Sequence, residues 1–265
     1  MDVTFKYSSN FKGLFEALTT FVDNVSINYD TTSLKIQAMD SGHISMIFIE
    51  LYEDQFIKYD VKKSGVITLT SNSLKSIIRS MRDNDCVSMK LIDKNNTVDF
   101  LLSDGDRTNI YSVRLIDMDF ELLSMMNELE HDYIIVSKKI GINKILNDIK
   151  NIEGDETIFN IDNNKNFMIE TKNDQVNLKI TPTKDIAQIT SFSSFSSDKK
   201  NVSVKYATKY LLNISKMLSF CRDKIICKID TNAPLLVELN IKVEDSLSNE
   251  VSTLKYFLAP KIDDQ

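Results

Sequence analysis

Leu74-Lys75-Ser76-Ile77-Ile78-Arg79-Ser80-Met81-Arg82-Asp83-Asn84-Asp85-Cys86 changes character twice. Leu74, Ile77, Ile78 and Met81 keep the spacing of one helical face, and the polar run Arg82–Asp85 ends it. From Cys86 to Ile92, and beyond a turn at Asp93 from Thr97 to Leu102, alternation with period two predicts a pair of strands. The pattern recurs along the chain. Phe11, Leu14, Phe15, Leu18 and Phe21 predict a helix, as do Ile142, Ile145, Leu146 and Ile149, and then Ala207, Tyr210, Leu211, Ile214, Met217 and Leu218. The helices start near residues 10, 73, 141 and 207, about 63, 68 and 66 apart, so one unit of strand, helix and antiparallel strands occurs four times. After the fourth helix comes Arg222-Asp223-Lys224, then strands at Ile225–Ile229 and Leu235–Ile241 about a turn at Asp230. Two similar domains result, 1–114 and 133–265, joined by an acidic, Met-rich connector at 115–132.

Composition removes many functions. The chain has 265 residues, 42% of them apolar, enough for a core without staples. Its six glycines (13, 42, 65, 105, 141 and 154) are too dispersed for a dinucleotide fingerprint or a P-loop. His43 and His131 are the only histidines and Cys86, Cys221 and Cys227 the only cysteines, so no zinc spacing exists and neither metal nor cofactor is expected. An odd thiol count, no apolar leader and no apolar run of about 20 residues predict a reducing compartment, cytosol or nucleus, and no membrane. The carboxylate pairs Asp117 with Asp119, Asp104 with Asp106 and Asp263 with Asp264 lie in segments that read as solvated turns, connector or tail. His131 sits among Glu128, Glu130 and Asp132 in a polar segment, and His43 has no nucleophile elbow nearby.

Net charge is −6, which argues against a general affinity for phosphate, yet the signs are segregated. Opposite the apolar stripes lie Lys12, Lys75, Arg79, Arg82, Lys144, Lys150, Lys209 and Lys216, against Glu16 and Asp148. Periodicity alone leaves two readings open, solvated helix faces or a phosphate-facing surface without base readout.

Three stretches then carry a resemblance. Leu34-Lys35-Ile36-Gln37-Ala38-Met39-Asp40-Ser41-Gly42-His43-Ile44-Ser45, Arg114-Leu115-Ile116-Asp117-Met118-Asp119 and Leu254-Lys255-Tyr256-Phe257-Leu258-Ala259-Pro260-Lys261-Ile262-Asp263-Asp264 resemble, in order and spacing, three motifs of the DNA sliding clamp family of the proliferating cell nuclear antigen type. These are its strand–turn–strand, the start of its interdomain connector and its C-terminal segment. The resemblance implies an α+β DNA clamp fold of two domains, each of two βαβββ units, with strands outside and four helices lining a ring, a homotrimer around duplex DNA. It implies a processivity factor for a DNA polymerase, opened by a clamp loader ATPase, without chemistry of its own, in the nucleus or at a viral replication site.

Partners of the family, such as nuclease and ligase, carry a PIP box. By position its pocket here takes Met39, His43, Ile44, Met46, Leu123, Met125, Pro234, Phe257, Ala259 and Pro260, with core burial expected for Ile44 and Met46. Subunits of the family pair edge strands, here Ile110-Tyr111-Ser112-Val113-Arg114 with Val176-Asn177-Leu178-Lys179-Ile180. Departures are Ser124-Met125-Met126 in a longer connector, Gly13 and Thr19 where the family has inner-face lysines, and Asp162, with Lys165 nearby, where it has a modified lysine. The alternatives are a checkpoint-type heterotrimeric clamp subunit, a monomeric viral processivity factor and, in another class, a magnesium-dependent nuclease using Asp117 and Asp119.

Overall fold

The computed structural model describes residues 1–82, 84–118, 131–184, 186–191, 201–241 and 251–262. Two compact units result, Met1–Leu123 with Asn240–Leu254, and Ser124–Leu239 with Lys255–Gln265. The sequence division at 1–114 and 133–265 follows chain order, whereas packing places segment 240–254 with the first unit.

The first unit runs β1 (Asp2–Phe5), α1 (Ser8–Phe21), β2 (Asn24–Tyr29), β3 (Ser33–Met39), β4 (Ser45–Tyr52), β5 (Phe56–Asp60), β6 (Gly65–Thr70), α2 (Ser71–Ser80), β7 (Cys86–Ile92), β8 (Thr97–Ser103) and β9 (Thr108–Arg114). Setting β5 aside, this is strand, helix and three strands, twice. Its strands order as β5-β1-β7-β8-β9 and β4-β3-β2-β6, with antiparallel neighbours. Each helix is the crossover between the two sets, so its apolar stripe must meet both.

The second repeat runs β10 (Tyr133–Lys138), α3 (Lys139–Ile152), β11 (Glu156–Ile161), β12 (Phe167–Lys172), β13 (Asn177–Ile180), β14 (Ala187–Ser191), β15 (Val202–Ala207), α4 (Thr208–Leu211), α5 (Asn213–Met217), β16 (Cys221–Ile229), β17 (Leu235–Ile241) and β18 (Thr253–Leu258). It reproduces both orders, as β14-β10-β16-β17-β18 and β13-β12-β11-β15. The repeat read from helix spacing is therefore a repeat of topology.

Burial explains the helices. Phe11, Leu14, Phe15 and Leu18 of α1 are buried, with the Phe11 ring centre 4.5 Å from that of Phe15, tilted, and 4.9 Å from that of Phe5, edge-on. α2 is capped by Thr70, whose hydroxyl accepts the Ser73 N–H at 3.1 Å, and buries Leu74, Ile77 and Ile78. α3 buries Ile145, Leu146 and Ile149, but sets Ile142 and Leu146 where α1 sets Phe11 and Phe15. These smaller side chains border an apolar cavity of about 30 Å³, shared with Leu211, Ile214 and Phe159.

Three local expectations are corrected. The fourth helix is broken at Leu212, because the Tyr256 hydroxyl donates to the Tyr210 carbonyl at 2.8 Å and competes for an acceptor the helix would use. Arg222-Asp223-Lys224, expected to precede the strand, is part of it: β16 starts at Cys221, and Lys224 pairs with Lys138 of β10. Val176 precedes β13, since the Asn173 side chain accepts the N–H groups of Gln175 and Val176 at 2.9 and 2.8 Å and closes a turn there.

Candidate nucleic-acid interface

An i, i+4 spacing puts Lys75 and Arg79 on one side of α2, Lys75 half-buried and Arg79 exposed. Lys144 and Lys150 of α3 are exposed, as are Lys209 of α4 and Lys216 of α5, while Lys12 of α1 is half-buried. The Lys209 ammonium lies 4.7 Å from the Tyr210 ring centre, and Lys216 Nζ donates to Asn213 Oδ1 at 3.2 Å. Among the described residues, Lys12, Lys75, Arg79, Lys144, Lys150 and Lys209 form no ion pair. Arg82 differs, because its Nη1 meets Asp104 Oδ2 at 3.2 Å. The exposed helix faces thus keep uncompensated positive charge in an anionic chain, which suits a polyanion held through its phosphates.

A second surface is built around Asp40, which is buried at the end of β3. Its carboxylate accepts the N–H groups of Gly42 and Ile44, each at 2.9 Å, together with the N–H and hydroxyl of Ser45. Burial alone would raise its pKa; the hydrogen bonds from Ser45, Gly42 and Ile44 outweigh that and hold it below the ordinary carboxylate value. The closed turn displays His43 at φ 54, in the left-handed region, and leaves Ile44 exposed rather than in the core as the sequence predicted. Met46 is buried as expected, and Met39 is half-buried. In the second unit Pro234, Ala259 and Pro260 are half-buried and Phe257 is buried. Leu123 and Met125 lie outside the described residues.

The strands expected at subunit contacts are edge strands of their sheets. β9 pairs with β8 in unbroken register from Ser103↔Thr108 to Thr97↔Arg114, and β13 pairs with β12. On β9 Ile110 is 61% exposed and Arg114 exposed, with Tyr111 and Val113 half-buried; beside β13 Val176 is 48% exposed, with Leu178 and Ile180 half-buried. The edge strand β5 is different: register with β1 slips between Thr4 and Phe5, which leaves Ile57 as an extra residue, 68% exposed. A bulge of this kind spoils an edge for further pairing.

Asp117 is exposed and Asp119 lies outside the described residues. Among the described residues no group of three His, Cys, Asp or Glu could hold a metal ion, and no helix is long and apolar enough to cross a membrane. Asp104, one of the paired carboxylates, is occupied by Arg82 and Arg107. His131, expected in a polar segment, is buried. Sequence reasoning missed the organising role of Asp40, although an Asp followed by Gly42 and Ser45 is a turn signal.

Comparison with known proteins now bears on the family. A family model described as proliferating cell nuclear antigen, N-terminal domain, matches residues 1–123. The chain is 27% identical to proliferating cell nuclear antigen 2 of Plasmodium falciparum, over 96% of each chain. Together these likenesses support a sliding clamp of the proliferating cell nuclear antigen type. A second relative of this clamp is a probable DNA polymerase sliding clamp of Autographa californica nuclear polyhedrosis virus, 22% identical over 98% of this chain and 96% of that one. The crystal structure of the Entamoeba histolytica proliferating cellular nuclear antigen superposes with a TM-score of 0.83 at 22% identity, covering 98% of both chains. The fold is thus the DNA clamp fold, and the cation-bearing helices are its four crossovers, the fourth in two pieces.

Proposed function

We propose that this clamp is a DNA polymerase processivity factor that encircles duplex DNA and tethers the polymerase to its template by topology. The observation that carries the reading is the positive charge of Arg79, Lys144, Lys150 and Lys209, exposed and without an ion pair among the described residues, on helices that are crossovers of one repeated unit. Binding through these faces is electrostatic and indifferent to sequence. The chain assembles as a homotrimer through β9 of one copy and β13 of the next, edge strands with exposed Ile110 on the one and exposed Val176 beside the other. A clamp loader ATPase opens the ring, and no reaction is catalysed by the clamp itself. By family position, docking of PIP-box proteins such as nuclease and ligase uses Met39, His43, Ile44, Met46, Leu123, Met125, Pro234, Phe257, Ala259 and Pro260, and the Asp40 turn supports the part of this set that lies around it. The site of action is the nucleus, or a viral replication site for a virus-encoded chain.

Loading onto nicked circular DNA with a clamp loader tests the reading. Clamp that stays bound at high salt on the closed circle and is lost when the circle is cut is the expected result. Retention on the cut DNA, or loss from the circle, overturns encirclement.

A further inference from the structure

We propose that Asp85 and Arg107 are positioning residues for self-association, holding β9 as a straight pairing edge; this rests on the reading of β9 as a subunit contact. Arg107 closes the turn between β8 and β9, where Gly105 takes φ +94. Arg107 Nη2 donates to both oxygens of Asp85 at 3.1 Å, and its Nε donates to Asp104 Oδ2 at 3.2 Å. The Asp85 side chain is 0% exposed and also accepts the Arg82 N–H at 2.7 Å. Arg82 Nη1 reaches Asp104 at 3.2 Å, so two guanidiniums and two carboxylates link the end of α2 to the β8–β9 turn. Asp104 Oδ1 additionally accepts the N–H groups of Asp106 and Arg107, each at 3.1 Å, and fixes the turn itself.

The next residue is Thr108, the first of β9, and among the described strands β9 has β8 as its one neighbour. A buried carboxylate whose two oxygens share one guanidinium nitrogen, while the Nε of the same fork holds Asp104, cannot slide without leaving charge unpaired. The network therefore fixes where β9 begins and keeps its register with β8 from the first pair. At the corresponding place in the second repeat, Arg222-Asp223-Lys224 is part of β16, with Asp223 and Lys224 exposed. The device belongs to the half whose last strand is the exposed edge.

Sedimentation equilibrium on the full chain separates the outcomes. Wild type is compared with Arg107→Lys, which keeps the charge but loses the fork; with the double variant Asp85→Leu, Arg107→Met, which removes the buried pair without orphaning either charge; and with Ile110→Lys, which blocks the edge. A monomeric wild type, or self-association untouched by Ile110→Lys, overturns the reading of β9 as a subunit edge. Given an oligomeric wild type, weakening by about tenfold or more in Arg107→Lys and in the double variant supports the inference. Association equal to wild type in both variants overturns it. Hydrogen exchange covers the case of a general loss of stability: in an Ile110→Lys background, Arg107→Lys accelerates the β9 amides selectively, whereas acceleration spread equally over β7 and β8 overturns the positioning role.

Discussion

Asp40 shows how one side chain builds a surface. Four donors converge on its carboxylate, and the turn they close is what holds His43 in the left-handed region and Ile44 outward. Asp40→Asn replaces one accepting oxygen by an NH₂ that faces backbone donors, so we expect a loss of about 1–3 kcal/mol in thermal or denaturant unfolding. The pH dependence has a definite sign. Because the folded-state pKa is depressed, the stabilisation is complete above the ordinary carboxylate value of about 4 and is lost as pH falls through the folded value. Wild type therefore loses stability on acidification below about pH 4 more steeply than Asp40→Asn. Parallel acid-unfolding curves for the two proteins would show that this carboxylate is not the group responsible.

At the level of elements, the positive charge is unevenly spread. In the second repeat Lys144, Lys150, Lys209 and Lys216 are all exposed; in the first, Lys12 and Lys75 are half-buried, Arg82 is tied to Asp104 and Arg79 alone is both exposed and unpaired. Changing the four second-repeat lysines to Ala should flatten the salt dependence of DNA binding by about 0.9 per lost phosphate contact, and the four first-repeat changes should flatten it less. Equal effects in the two quadruple variants would refute a second-repeat bias. Much of this layer was legible in the sequence, because burial on one side of a helix imposes a period that survives in the residue order: the stripes of α1, α2 and α3 and the strands at Cys86–Ile92 and Leu235–Ile241 lie where they were expected. What stayed hidden depends on partners distant along the chain. The neutralisation of Arg82 waits on Asp104, 22 residues away, and the break after α4 on Tyr256, 46 residues beyond Tyr210. The place of Lys224 in β16 was invisible for the same reason, since it rests on pairing with Lys138 of β10, far back along the chain. Ile44 was misplaced because a hydrophobic residue after a turn looks like core until the turn geometry is known.

For the whole molecule, a net charge of −6 describes the sum and not the arrangement. The helices carry an excess of cations, so the acidic residues that outnumber them lie predominantly elsewhere, and these discourage DNA from binding to other faces. Light scattering at micromolar concentration should give a trimer whose mass is insensitive to moderate salt, since the edges join by backbone pairing and apolar contact. A monomer under those conditions contradicts the assembly, and a dimer contradicts its stoichiometry.

The bulge at Ile57 and the unbroken register of β9 bear on growth as well as on contact. If β9 of one copy pairs with β13 of the next, as proposed, each copy carries two unlike sticky ends, which makes it a bifunctional monomer in the polymer chemist's sense. Such units add head to tail, and their end groups vanish only by cyclisation. The angle between the two ends then sets whether the product is a small cycle or an unending thread, so a substitution far from either edge that alters this angle would convert a finite particle into a fibre without weakening a single joint.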